Sequence, residues 1–206
     1  MNKVNVAHIC SCSDLSVEAR LIKSIYVNID IINECFLFGL KSDNKTSKLF
    51  INDSIKIIRI YNPLLNVPKL RYFSFLRNIT WYLTSIIKII PKKIDLIHAH
   101  SVEDLPVAYL ISKIKRAKFI YEPHELETHR MDWQGLSLEL AKRAEKLFIS
   151  KPDKVYFVNN TIKNWYVKHY KISEDKTDIL RNLPFKLNGD ERKIETKLNL
   201  KEKLKI

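Results

Sequence analysis

A chain of 206 residues, 46% of them hydrophobic, can bury a real core, and a total of three glycines excludes a glycine-rich phosphate loop. The 36 Lys and Arg against 23 Asp and Glu give a formal charge of +13, which favours an anionic bilayer or phosphorylated small molecules as partners. The basic residues are spread along the chain without an RNA-binding signature, so nucleic acid is not an expected partner.

Residues 4–9 form a short apolar run containing His8 and read as a first buried strand. Residues 14–28 place Leu15, Ala19, Ile22, Ile25 and Tyr26 at helical spacing, and Asp14 is positioned to accept from the free amides of the first turn. The connecting turn, residues 10–13, has no glycine. Residues 31–38 read as a second strand, 41–48 as a solvated loop, and the isoleucine-rich 55–61 as a third strand stopping before Pro63. Cys10, Cys12 and Cys35 are odd in number and lack a second Cys or His pair at zinc-finger spacing, so they are expected to be buried thiols in a reducing cytosol.

Residues 72–90 are the longest apolar stretch. Tyr72, Leu76, Ile79, Leu83, Ile86 and Ile90 repeat at steps of four and three, while Ser74, Arg77, Asn78, Thr84, Ser85 and Lys88 gather opposite. Arg77 and that polar stripe argue against a membrane span. Two readings stay open. The helix packs on a sheet, or it lies on an anionic membrane with Phe73, Phe75, Trp81 and Tyr82 beside the stripe and Lys69, Arg71, Lys88, Lys92 and Lys93 at its ends.

The centre of the chain is residues 93–129. A strand at 94–99 runs into His98 and His100, Glu103 and Asp104 are expected to cap the helix that follows, and a second strand at 119–121 ends in Pro123, His124 and Glu125. Ligands of open parallel sheets bind outside the carboxyl ends of the strands, so polar residues at two such ends mark a site. His98 and His100, two apart on a strand, share a face, which makes a metal pair a rival reading. No further metal-ligand pattern follows downstream, and no metal ligand is assigned. His8 is expected in the core and His129 and His169 on the surface.

Residues 136–149 read as a helix, 155–158 as a strand, 162–170 as a helix capped by Asn159 or Asn160, and 177–180 as a last short strand. This alternation predicts an α/β, Rossmann-like fold: a mainly parallel sheet with helices on both faces and right-handed crossovers. From residue 182 the pattern changes to a loop with Pro184, Asn188 and Gly189, then a lysine-rich tail with too little apolar area for a domain.

The segment IDLIHAHSVEDLPVAYLISKIKRAKFIYEPHELETH resembles the amino-terminal domain of glycosyltransferase family 4. VEARLIKSI resembles that family's first helix, and KVYFVNNTIKNWYVKHY followed by DILRNLPF its last strand and entry to the interdomain linker. The resemblance implies one half of a GT-B architecture, with residues 1–185 as the acceptor-side domain and 186–206 as linker and the start of a donor-binding domain. It implies a hexosyltransferase-type role in polysaccharide biosynthesis, moving sugar from a nucleotide sugar to a glycan or lipid-linked acceptor with no cofactor. In the family the donor half carries a glutamate pair separated by seven residues, which this tail lacks, so either the reading frame is truncated or a separate chain supplies that half. The alternatives are a non-catalytic acceptor- or membrane-binding subunit of a split transferase, or an inactive gene fragment. The expected location is the cytoplasm, peripheral on the inner face of the cell membrane.

Carried over by position, His124 in YEPHE matches the family's cleft histidine and is the catalytic candidate, since an imidazole can share a hydroxyl proton near neutral pH. His100 in HAHS and Glu125 match substrate-contacting positions at the cleft edge. Asp14 and Arg20 complete the expected substrate contacts. Here Ser11, Cys12, Ser13 and Asp14 stand where part of the family has paired glycines. His124 and Glu125 are equally suited to bracing their loop.

Overall fold

The computed structural model describes residues 3–11, 21, 24–25, 28, 30–41, 48–52, 55–61, 71–129 and 134–181. Eight strands form one sheet: β1 (Val4–Ile9), β2 (Ile32–Lys41), β3 (Lys48–Asn52), β4 (Ile55–Tyr61), β5 (Leu96–Ala99), β6 (Lys118–Tyr121), β7 (Lys154–Phe157) and β8 (Thr177–Ile179). Their spatial order is β3-β4-β2-β1-β5-β6-β7-β8, parallel throughout except for the β3–β4 pair. The helices are α1 (Arg71–Ile89), α2 (Leu105–Lys115), α3 (Gly135–Phe148) and α4 (Asn160–Tyr170), and Leu21, Ser24 and Ile25 are helical as well. The rest of the helix expected over residues 14–28, with Asp14 and Arg20, lies outside the described residues, as do the linker and tail from residue 182.

From β1 the chain moves one way to β2, and from β4 it crosses back over both to reach β5, after which each strand is laid down in the other direction. The order therefore reverses between β1 and β5. Right-handed crossovers put the helices after β4, β5 and β6 on one face, where α1, α2 and α3 contact one another, and the helical residues near Leu21 on the other. The sheet alternates accordingly. Ala7, Ile9, Ile97, Ala99, Phe119 and Tyr121 belong to the core shared with α1–α3, which turns His8, His98 and His100 to the opposite face.

Two local expectations are corrected. Strand β3 falls at the edge of a stretch read as solvated loop; KLFIN is short, and only its hairpin with β4, two residues away, gives it a partner. The packing phase of α1 also differs. From residue 78 on, where side-chain burial is described, Trp81, Ser85 and Ile89 are its buried residues, with Tyr82 and Ile86 half-buried beside them, whereas Leu83 and Ile87, and Ile90 just past its end, are 55%, 68% and 46% exposed. The helix is apolar on more than one side, so periodicity leaves its rotation open, and small Ser85 lets the backbone approach its neighbours. Trp81 is thus a core residue and Tyr82 packs against the core, rather than both being parts of an interfacial belt; the Tyr82 hydroxyl donates to the Glu103 carbonyl at 2.9 Å.

Several other local expectations are met. Asn159 caps α4, its side-chain oxygen accepting from the Ile162 amide at 2.9 Å, which satisfies one of the free donors of the first turn. Cys10 and Cys35 are buried cysteines outside any disulfide, and burial pushes the Cys35 thiol up to about 12, which leaves it inert as a nucleophile. Cys12 lies outside the described residues. No helix among the described residues is long and apolar enough to cross a membrane.

Candidate functional site

The sequence-predicted residues meet where the strand order reverses. His8 on β1 stands in register with His98 on β5, and His98 with Ile120 on β6. One step beyond these strands come His100 and Glu122, tied to the sheet by their amides, which donate to the Ile9 and Ala99 carbonyls at 3.3 and 3.0 Å. The ring centroids of His8 and His98 are 5.0 Å apart, those of His98 and His100 4.2 Å, and those of His100 and His124 5.8 Å. The row of imidazoles therefore starts inside the sheet and ends at its rim.

Burial grades along that row. His8, His98 and His100 are buried, His124 is half-buried and Glu125 is exposed. Ring nitrogens Nδ1 of His8 and Nε2 of His100 share a hydrogen bond at 2.9 Å. Burial, and then the neighbouring His98, hold His8 well below the ordinary imidazole value, so it is neutral near pH 7. Glu122, also buried, brings Oε2 to 3.1 Å from His98 Nε2 and 4.0 Å from His100 Nδ1; the first contact is close without being aligned for a hydrogen bond. The His124 amide donates to Glu127 Oε1 at 3.3 Å, which fixes the loop backbone at the rim.

A second polar group closes the site on the β1 side. Asp104 was expected to cap α2. It stands at the capping position, but its side chain makes no capping bond and instead accepts from Ser101 Oγ at 2.8 Å and the Ser11 amide at 3.3 Å. The Ser11 hydroxyl donates to Glu103 Oε2 at 3.1 Å and lies 3.0 Å from Ser101 Oγ. The short helix between Ser101 and α2 turns Asp104 inward, and full burial raises its carboxyl well above the ordinary range. Ser11, two residues past the end of β1, is thus strapped to the start of α2.

The structure brings His100, His124 and Glu125 to one edge; Asp14 and Arg20 lie outside the described residues. Glu122 and Ser11 went unread in the sequence. Glu122 had a signal: it precedes Pro123 in YEPHE, one position past a strand, as His100 is one position past the neighbouring strand. Ser11 had none, because its partners are about ninety residues away.

Fold and site define the class: one Rossmann-like half of a GT-B architecture, with its polar edge at the carboxyl ends of the central strands. The sequence profile of Glycosyltransferase Family 4 matches residues 39–183, and the chain belongs to that family. A comparison with curated proteins returns no match. Among solved structures, the chain is similar to a sucrose-phosphate synthase segment from Thermosynechococcus elongatus, with 14% identity, a TM-score of 0.64 and coverage of 98% of this chain and 99% of that one. It is similar to the lipopolysaccharide outer core galactosyltransferase WaaB, with 16% identity, a TM-score of 0.60 and coverage of 90% and 47%. Anabaena Alr3699/HepE, solved in complex with UDP-glucose, gives 15% identity, a TM-score of 0.57 and coverage of 96% and 50%. The chain spans about half the length of the latter two proteins.

Proposed function

We propose that this chain is the acceptor-side half of a sugar transferase, working with a second domain that binds the nucleotide sugar. The observation that carries the reading is the convergence of His100 and His124 at the switch point, with His124 half-buried at the rim and Glu125 exposed beside it. A hydroxyl arriving at that rim meets an imidazole able to share its proton, held from behind by His100. Glu125, with Asp14 and Arg20, supplies polar contacts to a glycan or lipid-linked acceptor. The test uses UDP-glucose as probe donor. The isolated chain should neither bind nor hydrolyse it, and transfer to a lipid-linked acceptor should appear when a donor-binding domain of the same family is added. Robust turnover by the chain alone would overturn the division of labour.

A second reading concerns where the acceptor is met, in the cytoplasm at the inner face of the membrane. Leu83 and Ile87 on α1, with Ile90 just past its end, form an exposed stripe, and Leu110 and Ile114, 46% and 50% exposed, another on α2. Lys115 donates to the Ile90 carbonyl at 3.0 Å, joining the two helix ends, and Lys88, Lys92, Lys93 and Lys113 lie nearby in sequence. Exposed apolar side chains with lysines close by in sequence suit the headgroup layer of an anionic bilayer. Vesicles containing phosphatidylglycerol should retain the chain at low salt and release it as salt shortens the Debye length to ~10 Å at 0.1 M. Ile87→Asp should weaken retention about tenfold; absence of binding at low salt would remove this reading.

A further inference from the structure

The histidine row contains more than the rim needs. His8, His98 and His100 are 3%, 6% and 2% exposed, and each offers a ring nitrogen such that the three atoms lie within 4.8 Å of one another. We propose that these three histidines form a zinc-binding site at the switch point, with Glu122 as the carboxylate that balances the ion's charge.

Tetrahedral zinc with Zn–N bonds of ~2.0–2.1 Å sets ligand nitrogens ~3.3 Å apart. The 2.9 Å between His8 Nδ1 and His100 Nε2 and the 4.8 Å limit for the group bracket that spacing, so side-chain rotations alone would complete the site. The backbone is already in place. His8 and His98 are register partners on adjacent parallel strands, and His100 follows on the same face two residues later. Imidazole donors suit zinc, and a divalent ion in a buried site requires a nearby anion. Glu122 provides one, 3.1 Å from His98 Nε2 and 4.0 Å from His100 Nδ1. A carboxylate beside ligating histidines also fixes their ring orientation. Bound there, the ion would staple β1 to β5 and hold His100, whose ring is 5.8 Å from that of His124, in one orientation. The site does not depend on the transfer chemistry and goes beyond the function proposed above.

The experiment treats the purified chain with chelator, confirms its fold by circular dichroism, and titrates it with Zn²⁺ or Co²⁺. The expected result is saturation at one equivalent, with the intense visible bands of tetrahedral Co²⁺ and a raised thermal midpoint. His98→Ala and His8→Gln should abolish binding, while His129→Ala and His169→Ala, at exposed positions, should leave it intact. Should the core variants fail to fold, X-ray absorption at the zinc edge of the wild-type protein decides, and fewer than three imidazoles in the inner shell overturns the proposal. Failure of the folded wild-type chain to bind either ion overturns it too, leaving a hydrogen-bonded histidine cluster. Neither result bears on sugar transfer, so this proposal and the functional one fail separately.

Discussion

Replacing Glu145 with alanine is expected to lower the stability of this chain by about 3–5 kcal/mol. Glu145 on α3 is fully buried and accepts from Thr128 Oγ1 at 2.9 Å, the Tyr166 hydroxyl at 2.6 Å and the Tyr170 hydroxyl at 2.5 Å. The Tyr166 oxygen in turn accepts from the Glu127 amide at 3.3 Å. One carboxylate thus joins α3, α4 and the loop that follows His124. Hydrogen bonds to a charged acceptor contribute about 1.5–3 kcal/mol each, and deleting the acceptor strands three hydroxyls. Tyr170→Phe, which removes one donor at a half-buried position, should lose about 1 kcal/mol. Urea denaturation checks both, through a shifted midpoint with unchanged slope. A loss for Glu145→Ala no larger than that for Tyr170→Phe would show that the network does not hold the layer.

The same group sets the alkaline limit. Burial first, and Glu145 second, raise both tyrosine hydroxyls above their ordinary value of 10.0. The folded chain therefore retains protons that the unfolded chain loses. Their contribution is full below pH 10 and falls as pH rises beyond it, towards the raised folded values.

The second large effect is expected at His124. With a donor domain supplied, His124→Ala should reduce kcat/KM by about 10²–10⁴, the usual contribution of a positioned acid or base. The loss should fall mainly on kcat, because the role proposed for the half-buried imidazole is to act on the proton of the attacking hydroxyl rather than on acceptor affinity. His124→Asn, which can accept a hydrogen bond but cannot take up the proton near neutral pH, should fall with it. Steady-state kinetics with UDP-glucose as probe donor measures the split. A decline of less than about tenfold would return His124 to the loop-bracing role that its sequence allowed equally.

Much of the fold was legible because its signals are local. Apolar runs bounded by turn residues marked β1, β5, β6 and β7, and Asn159 marked the start of α4 by a capping bond spanning three residues. The rotation of α1 was not legible: its apolar residues cover more than one side, and only the facing layer decides that Ser85 goes in while Ile87 stays out. Strand β3 was equally hidden, since a five-residue edge strand is defined by the strand it pairs with.

The sequence by itself determined the parallel α/β class, through alternating short apolar runs and helical periods, and placed His98, His100 and His124 at strand ends. That follows because strand and helix periods are properties of consecutive residues. Tertiary structure alone decided that His8, taken for core, joins His98 and His100, that Glu122 stands beside them, and that Asp104 leaves its helix to hold Ser11. The contacts of His8 and Ser11 join residues about ninety positions apart through the register between β1 and β5, and Glu122 comes beside His98 through the pairing of β5 with β6, both properties of the assembled sheet.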